Sequence, residues 1–234
     1  MTLYKWLLAD NTTPVQKKSW PCPLGKWTAH KSPILCRSGW HGVEAKDVLE
    51  HLPKVSTPPV LYEVETRGVL LHGDDKFSCE SMRLVRRVGA ADVMLLVKFA
   101  LVCAESSLGN FEKVFPNDSR VRDCIDVTWR FTRGEATAQE VETARLAARS
   151  AESAALWSVE LAESAARNAA ESAAWWSAES VWWSARPAAL WSVESAWSAA
   201  WFSERAAAES SRSSADFKAE SSRLLVYMIE EANQ

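Results

Sequence analysis

The sequence predicts an α+β protein: a small, antiparallel-leaning sheet domain over residues 1–90, then an all-helical region over residues 91–234. Three observations carry this. All eight glycines lie at or before Gly134, and eight of the nine prolines at or before Pro116, so turn punctuation stops partway along the chain. Short β-branched and aromatic runs bounded by glycine and proline fill the first part. Beyond them apolar residues recur at helical spacing, and from Glu135 onward the chain varies on Ala-Glu-Ser-Ala-Ala.

Residues 3–8 predict a first strand, and residues 12–33, with Trp20, Pro21, Pro23, Gly25 and Trp27, a long loop. Residues 34–36 predict a short strand entering a turn over residues 37–42, and residues 44–52 have helical spacing, with Val48, Leu49 and Leu52 on one side. The best strand pattern is residues 60–66, bounded by Pro58-Pro59 and Gly68. Residues 69–71 and 82–86 predict two more strands, separated by a turn at Gly73-Asp74-Asp75-Lys76.

Residues 91–134 predict two helices. Val97, Leu101, Ala104 and Leu108 form the apolar stripe of the first, with Gly109 in a natural stop position. Asn117-Asp118-Ser119 offers an N-cap to the second, residues 120–132, with Val121, Cys124, Ile125 and Trp129 as its apolar positions and Gly134 as its end.

Residues 135–234 contain no glycine and hold eight of the thirteen tryptophans. Three copies of one pattern begin at Leu156, Trp175 and Leu190, and Trp176, Trp183, Leu190 and Trp197 fall seven apart, with Trp201 four further on. An unbroken helix of that length would run about 150 Å. Breaks are therefore expected near Asn168, at Arg186-Pro187 and over residues 210–214, giving a bundle or stacked helical hairpins in which alanines permit close approach and indoles fill the wide gaps. Residues 224–229 predict an ordinary core-facing helix.

The formal charge of −3 is unevenly spread: residues 1–139 carry 19 Lys and Arg against 16 Asp and Glu, and the remainder 8 against 14. An acidic, Ala/Ser-rich half argues against nucleic acid as a partner, because phosphate binding needs clustered cations. Its polar helix faces carry Glu rather than Lys or Arg, which argues against a membrane surface. The five cysteines (22, 36, 79, 103 and 124) include no Cys-x-x-Cys pair and read as reduced thiols of a cytoplasmic protein. No apolar run reaches the ~20 residues that span a bilayer.

Two stretches resemble known families. Trp6, Trp20-Pro21, Gly25-Lys26-Trp27, Cys36-x-x-Gly39-x-His41 and Leu61-Tyr62-Glu63-Val64-Glu65 together resemble an uncharacterised domain of phage and bacterial proteins. Phe99-Ala100-Leu101-x-Cys103-Ala104-Glu105, Phe115-Pro116-Asn117-Asp118-Ser119-Arg120 and Trp129-x-x-x-Arg133-Gly134-Glu135, followed by alanine-rich helix, are similar to an immunity-protein-like family. These resemblances imply an accessory or conflict-related protein rather than a metabolic enzyme.

The most site-like feature of the first half is the segment with Cys36, Trp40 and His41. A Gly-x-His turn followed by a Leu-Tyr-Glu-Val-Glu strand resembles the layout of ADP-ribosyltransferase folds. That resemblance implies a histidine on a nucleotide ribose and a glutamate, Glu63 or Glu65, stabilising developing positive charge. The alternative is that Trp40 and His41 pack a turn while the glutamates line a solvated strand face. Cys22, His30, Cys36 and His41 match no zinc spacing, and neither metal nor cofactor is expected. The Asn117–Arg120 segment reads either as a binding loop or as a capped helix start.

The indoles at Trp175, Trp176, Trp182, Trp183, Trp191, Trp197 and Trp201 read as core, as an interface for a second copy or another protein, or as a stack for a flat aromatic molecule. The function expected on these grounds is non-enzymatic binding or assembly, of phage or bacterial accessory type, through the tryptophan-rich helical half. The alternatives are an ADP-ribosyltransferase-like enzyme, intact or degenerate, in the first domain, and a sponge for an aromatic or nucleotide ligand.

Overall fold

The structure, a computed structural model, describes residues 2–55, 57–155 and 214–233. It is an α+β arrangement, four antiparallel strands preceding four helices. The chain forms two compact units, Met1–Asp92 with Ser222–Gln234, and Val93–Ser221.

In the first unit, strands β1 (Leu3–Leu7), β2 (Trp40–Glu44), β3 (Val60–His72) and β4 (Phe77–Ala90) close into a barrel in the order β1-β2-β4-β3. β1 pairs along its whole length with β3 and, through Leu3 and Tyr4, with Glu44 and Val43 of β2. β2 in turn pairs with the start of β4, Trp40 opposite Cys79 and Gly42 opposite Phe77. Side chains alternate across a strand, so Leu3 and Leu7 face the same way, into a core with Val64, Phe77, Met82 and Leu84.

Of the turn expected over residues 37–42, residues 37–39 lie in the turn and bend that lead into the strand, while 40–42 belong to β2, and close neighbours explain why the segment carries glycine. A Cβ on Gly42 would lie 2.5 Å from Phe77 Cζ and 2.7 Å from the Tyr4 carbonyl oxygen. One on Gly39, whose φ is +90°, would lie 2.9 Å from the Cys79 carbonyl oxygen. At Gly42 glycine permits close strand approach rather than reversal of the chain, while Gly39 both bends the chain and lets it pass close to β4.

Other boundaries shift for similar reasons. The strand expected at residues 34–36 is instead a tight turn, closed by an isolated bridge between Ile34 and Ser38. The helical spacing of residues 44–52 resolves into the end of β2 and a single 3-10 turn at Ala45–Asp47, with Val48, Leu49 and Leu52 buried as anticipated. The two strands read at residues 60–66 and 69–71 are one strand, β3. Gly68, at φ +82°, sits in the register shift between Arg67 and Leu70, so it makes a bulge and not a break. The Gly73 turn is present, its N–H donating to the Lys76 carbonyl at 2.8 Å. The long loop lies along β4, with Gly25, Thr28 and Lys31 N–H groups donating to the carbonyls of Leu84, Met82 and Glu80.

The second unit holds α1 (Val93–Val114), α2 (Arg120–Thr132) and α3 (Ala138–Ala155). The predicted stripe of α1 is buried, as are Val121, Cys124 and Ile125 of α2. The expected stop at Gly109 is incorrect: α1 runs through it and ends at Val114, before Phe115-Pro116. Proline disfavours the helical conformation in the residue preceding it, and that outweighs a tolerable interior glycine. α2 ends as anticipated at Gly134, φ +74°, where Gly134 N–H donates to Phe131 O and Glu135 N–H to Arg130 O, a Schellman arrangement. Thr137 and Glu140 cap α3 reciprocally, Thr137 N–H donating to Glu140 Oε2 at 2.7 Å and Glu140 N–H to Thr137 Oγ1 at 3.2 Å. Cys124, Val141 and Ala148 form the buried contact between α2 and α3.

The last helix, α4 (Ser214–Glu231), buries Leu225 and Ile229 completely. Its second half belongs with the barrel unit, where Ser222 Oγ accepts from the Leu49 N–H at 3.3 Å and Glu230 pairs with Arg86 at 2.8 Å. Of the bundle expected over residues 135–234, the part at residues 156–213, with the breaks near Asn168 and at Arg186-Pro187 and all eight tryptophans, lies outside the described residues.

Two glycine-to-alanine changes should act in opposite directions. Gly42→Ala overpacks a site bounded by a buried ring and a backbone carbonyl and should cost about 2 kcal/mol or more in urea unfolding. Gly109→Ala, exposed in a helix interior with nothing within 4 Å of its new methyl group, should gain about 1 kcal/mol.

Candidate functional site

β2 carries two of the residues singled out from the sequence. Trp40 is fixed on three sides: Nε1 donates to the Ala29 carbonyl at 2.8 Å, Trp20 meets it edge-on at 5.3 Å between centroids, and the Lys31 ammonium stands 3.8 Å over its ring. Cys36 is exposed at the tip of the Ile34–Ser38 turn with φ +62°, a left-handed conformation that a non-glycine residue adopts at a cost.

These residues open onto a cleft of about 720 Å³ confined to the barrel unit. Cys36, Trp40 and His41 line it together with Lys5, Lys18, Lys31, Arg37 and Lys76, and among the described residues no aspartate or glutamate does. Asp75, outside the lining, pairs with His51 at 3.1 Å and with Lys76 at 3.6 Å. The cleft is therefore cationic at its wall.

Lys5 is the residue that the sequence reading missed. It occupies the same face of β1 as Leu3 and Leu7, and its ammonium donates to the His41 carbonyl at 2.6 Å. The Trp20 ring lies 5.8 Å away. Burial pushes the Lys5 amine down to about 8 from the usual 10.5. The adjacent Cys79 thiol is pushed up to about 12 by its own burial, so it stays uncharged near neutral pH. Burial also holds the His41 imidazole below its usual range; the charges of Lys5 and Lys76 push the same way and a hydrogen bond to the Ile34 backbone opposes them. His41 Nε2 is buried without a hydrogen-bond partner. The signal in the sequence was one charge interrupting Leu3-x-Lys5-x-Leu7, an alternation that assigns Lys5 to the apolar face.

Glu63 and Glu65 do not join this group. Each is held by an arginine of β4: Arg86 Nε donates to Glu63 at 2.6 Å and Arg83 Nε to Glu65 at 2.8 Å. Neither lines the cleft with His41, so the histidine and glutamate of the ADP-ribosyltransferase layout are not brought together. At residues 117–120 the polar groups serve the helix start. Asp118 accepts from the Arg120 backbone N–H at 3.1 Å and from its guanidinium at 2.9 Å, which holds the carboxyl below its usual range. Among the described residues no cluster of three His, Cys, Asp or Glu suits a metal, and no helix is long and apolar enough to cross a membrane. The tryptophans at 175, 176, 182, 183, 191, 197 and 201 lie outside the described residues.

The Lys5 amine sets a pH dependence. Unfolded, it keeps its proton to about 10.5; folded, it releases it near 8, so between those values the unfolded chain binds more protons and the Lys5 contribution to stability rises with pH. In urea unfolding Lys5→Met should therefore be more stable than the parent near neutral pH, with the difference shrinking as pH rises through that window. A difference independent of pH would contradict the assignment.

Comparison with known proteins follows the division of the chain. No curated protein and no solved structure matches it. Residues 1–96, which contain the barrel strands and the cleft, match the family model of a domain of unknown function, DUF7666. Residues 87–179, which contain α1 to α3, match a second family model, described as "Imm-5 like putative immunity protein". The chain thus joins an uncharacterised N-terminal domain to an immunity-protein-like helical region.

Proposed function

We propose that this protein is a non-enzymatic binding protein of the immunity-like accessory class, and that its helical half makes the contact. The observation that carries this reading is the match of residues 87–179 to an immunity-protein family, a stretch that reaches beyond α3 to Trp157, Trp175 and Trp176. Immunity proteins supply some of the tightest protein pairs known. Tryptophan is the residue most enriched in binding hot spots, and adjacent pairs such as Trp175-Trp176 and Trp182-Trp183 cannot both point inward on one helix. A self-associating surface anchored by Trp175, Trp182, Trp191 and Trp197 is the form of the proposal that purified protein tests first. The engagement of Glu63 and Glu65 by Arg86 and Arg83 weighs against the ADP-ribosyltransferase alternative.

Light scattering over a wide concentration range is the test. The particle mass should be a multiple of 26.0 kDa and should fall to the monomer value in Trp182→Ala/Trp191→Ala. Each lost anchor should weaken association by about 2 kcal/mol, roughly thirtyfold. A monomer at every concentration would contradict self-association.

A further inference from the structure

The barrel cleft is a separate feature that the helical reading does not use. Its wall carries five Lys and Arg side chains and, among the described residues, no carboxylate. Such a run of one sign at a concave surface focuses potential on whatever enters.

Lys5 is the more telling group. Its ammonium sits on the apolar face of β1, and among the described residues it makes one hydrogen bond, to the His41 carbonyl, out of the three that an ammonium can donate. Its other neighbours are the Trp20 ring and the Cys79 thiol, both uncharged. Partly buried cations are ordinarily matched by an anion, because desolvation without a counter-charge is costly. Among the described residues no carboxylate meets Lys5, so a ligand in the cleft is what would supply its counter-charge. The cleft's volume falls within the range of small-molecule sites, roughly 300–1,000 Å³.

From Lys5, the cationic wall and the volume of the cleft, we propose that it is a binding site for a small phosphate-bearing molecule of about mononucleotide size. The phosphate oxygens are taken by Lys5 with Lys18 and Arg37, two exposed residues of the connection between β1 and β2 that line the same cleft. A multiply charged anion suits a cleft lined by several cations better than a single carboxylate does.

Calorimetric titration of the intact chain tests this with three probes: ADP, inorganic pyrophosphate and adenosine. ADP should bind, pyrophosphate should displace it, and adenosine should bind at least about tenfold more weakly, since it lacks the charge-assisted hydrogen bonds. Raising the salt concentration should weaken ADP binding. Lys5→Met should reduce ADP affinity by at least about tenfold, and the exposed reversal Lys18→Glu/Arg37→Glu, which leaves the core untouched, should do the same. No binding of ADP or pyrophosphate at millimolar concentration would overturn the proposal. So would equal affinity for adenosine, or ADP affinity unchanged in the double reversal. None of these outcomes depends on whether the helical half self-associates.

Discussion

The close approach of β2 to its two neighbours is the constraint on which the barrel unit rests. A four-stranded antiparallel sheet closes only if every strand pairs along both of its edges, and here β2 pairs with β1 through Val43 and Glu44 and with β4 through Trp40 to Gly42. Removing the Cβ at positions 39 and 42 makes room for the Phe77 ring and for the Tyr4 and Cys79 carbonyls. Closure then has a chemical consequence. It brings the His41 carbonyl within 2.6 Å of Lys5 and places that ammonium near the Trp20 ring and the Cys79 thiol, with no carboxylate beside it among the described residues.

Two kinds of electrostatics coexist in this unit. On the outer side, Arg83 and Arg86 pair with Glu65 and Glu63 across β3 and β4, and Arg86 also meets Glu230 of α4. Such exposed pairs contribute little individually and leave no charge unmatched. In the cleft the balance is one-sided. A unit that pairs Glu63 and Glu65 with arginines on its outer side, and whose cleft lining carries five cations of which Lys76 meets Asp75, favours an anionic visitor, whatever the helical half binds.

Much of the architecture was legible because it rests on local rules. Residues 60–66 read as strand from β-branched and aromatic alternation, and Val97, Leu101, Ala104 and Leu108 read as a helix face; both follow from the period of the pattern. Glycine was where the reading went astray. Gly42 was read as part of a turn, Gly68 as a strand break and Gly109 as a helix stop, yet they serve close approach, a bulge and an uninterrupted helix. What a missing Cβ is for depends on what lies opposite it, and that is a tertiary fact. Gly134, by contrast, was read correctly because its role is local, set by the carbonyls of Arg130 and Phe131 just before it. The candidate site divides the same way: Cys36, Trp40 and His41 do share a cleft, but Glu63 and Glu65 pair with their cross-strand arginines, and Lys5 showed itself only as an exception to alternation.

The Lys5 ammonium is partly buried and, among the described residues, has no carboxylate partner, and a nuclear magnetic resonance titration of its Nζ in the ligand-free, full-length chain tests that most directly. A midpoint near 8 is the predicted result. A midpoint at the ordinary lysine value of 10.5 would mean that the amine is solvated or paired, and that neither the barrel interior nor the cleft is as described.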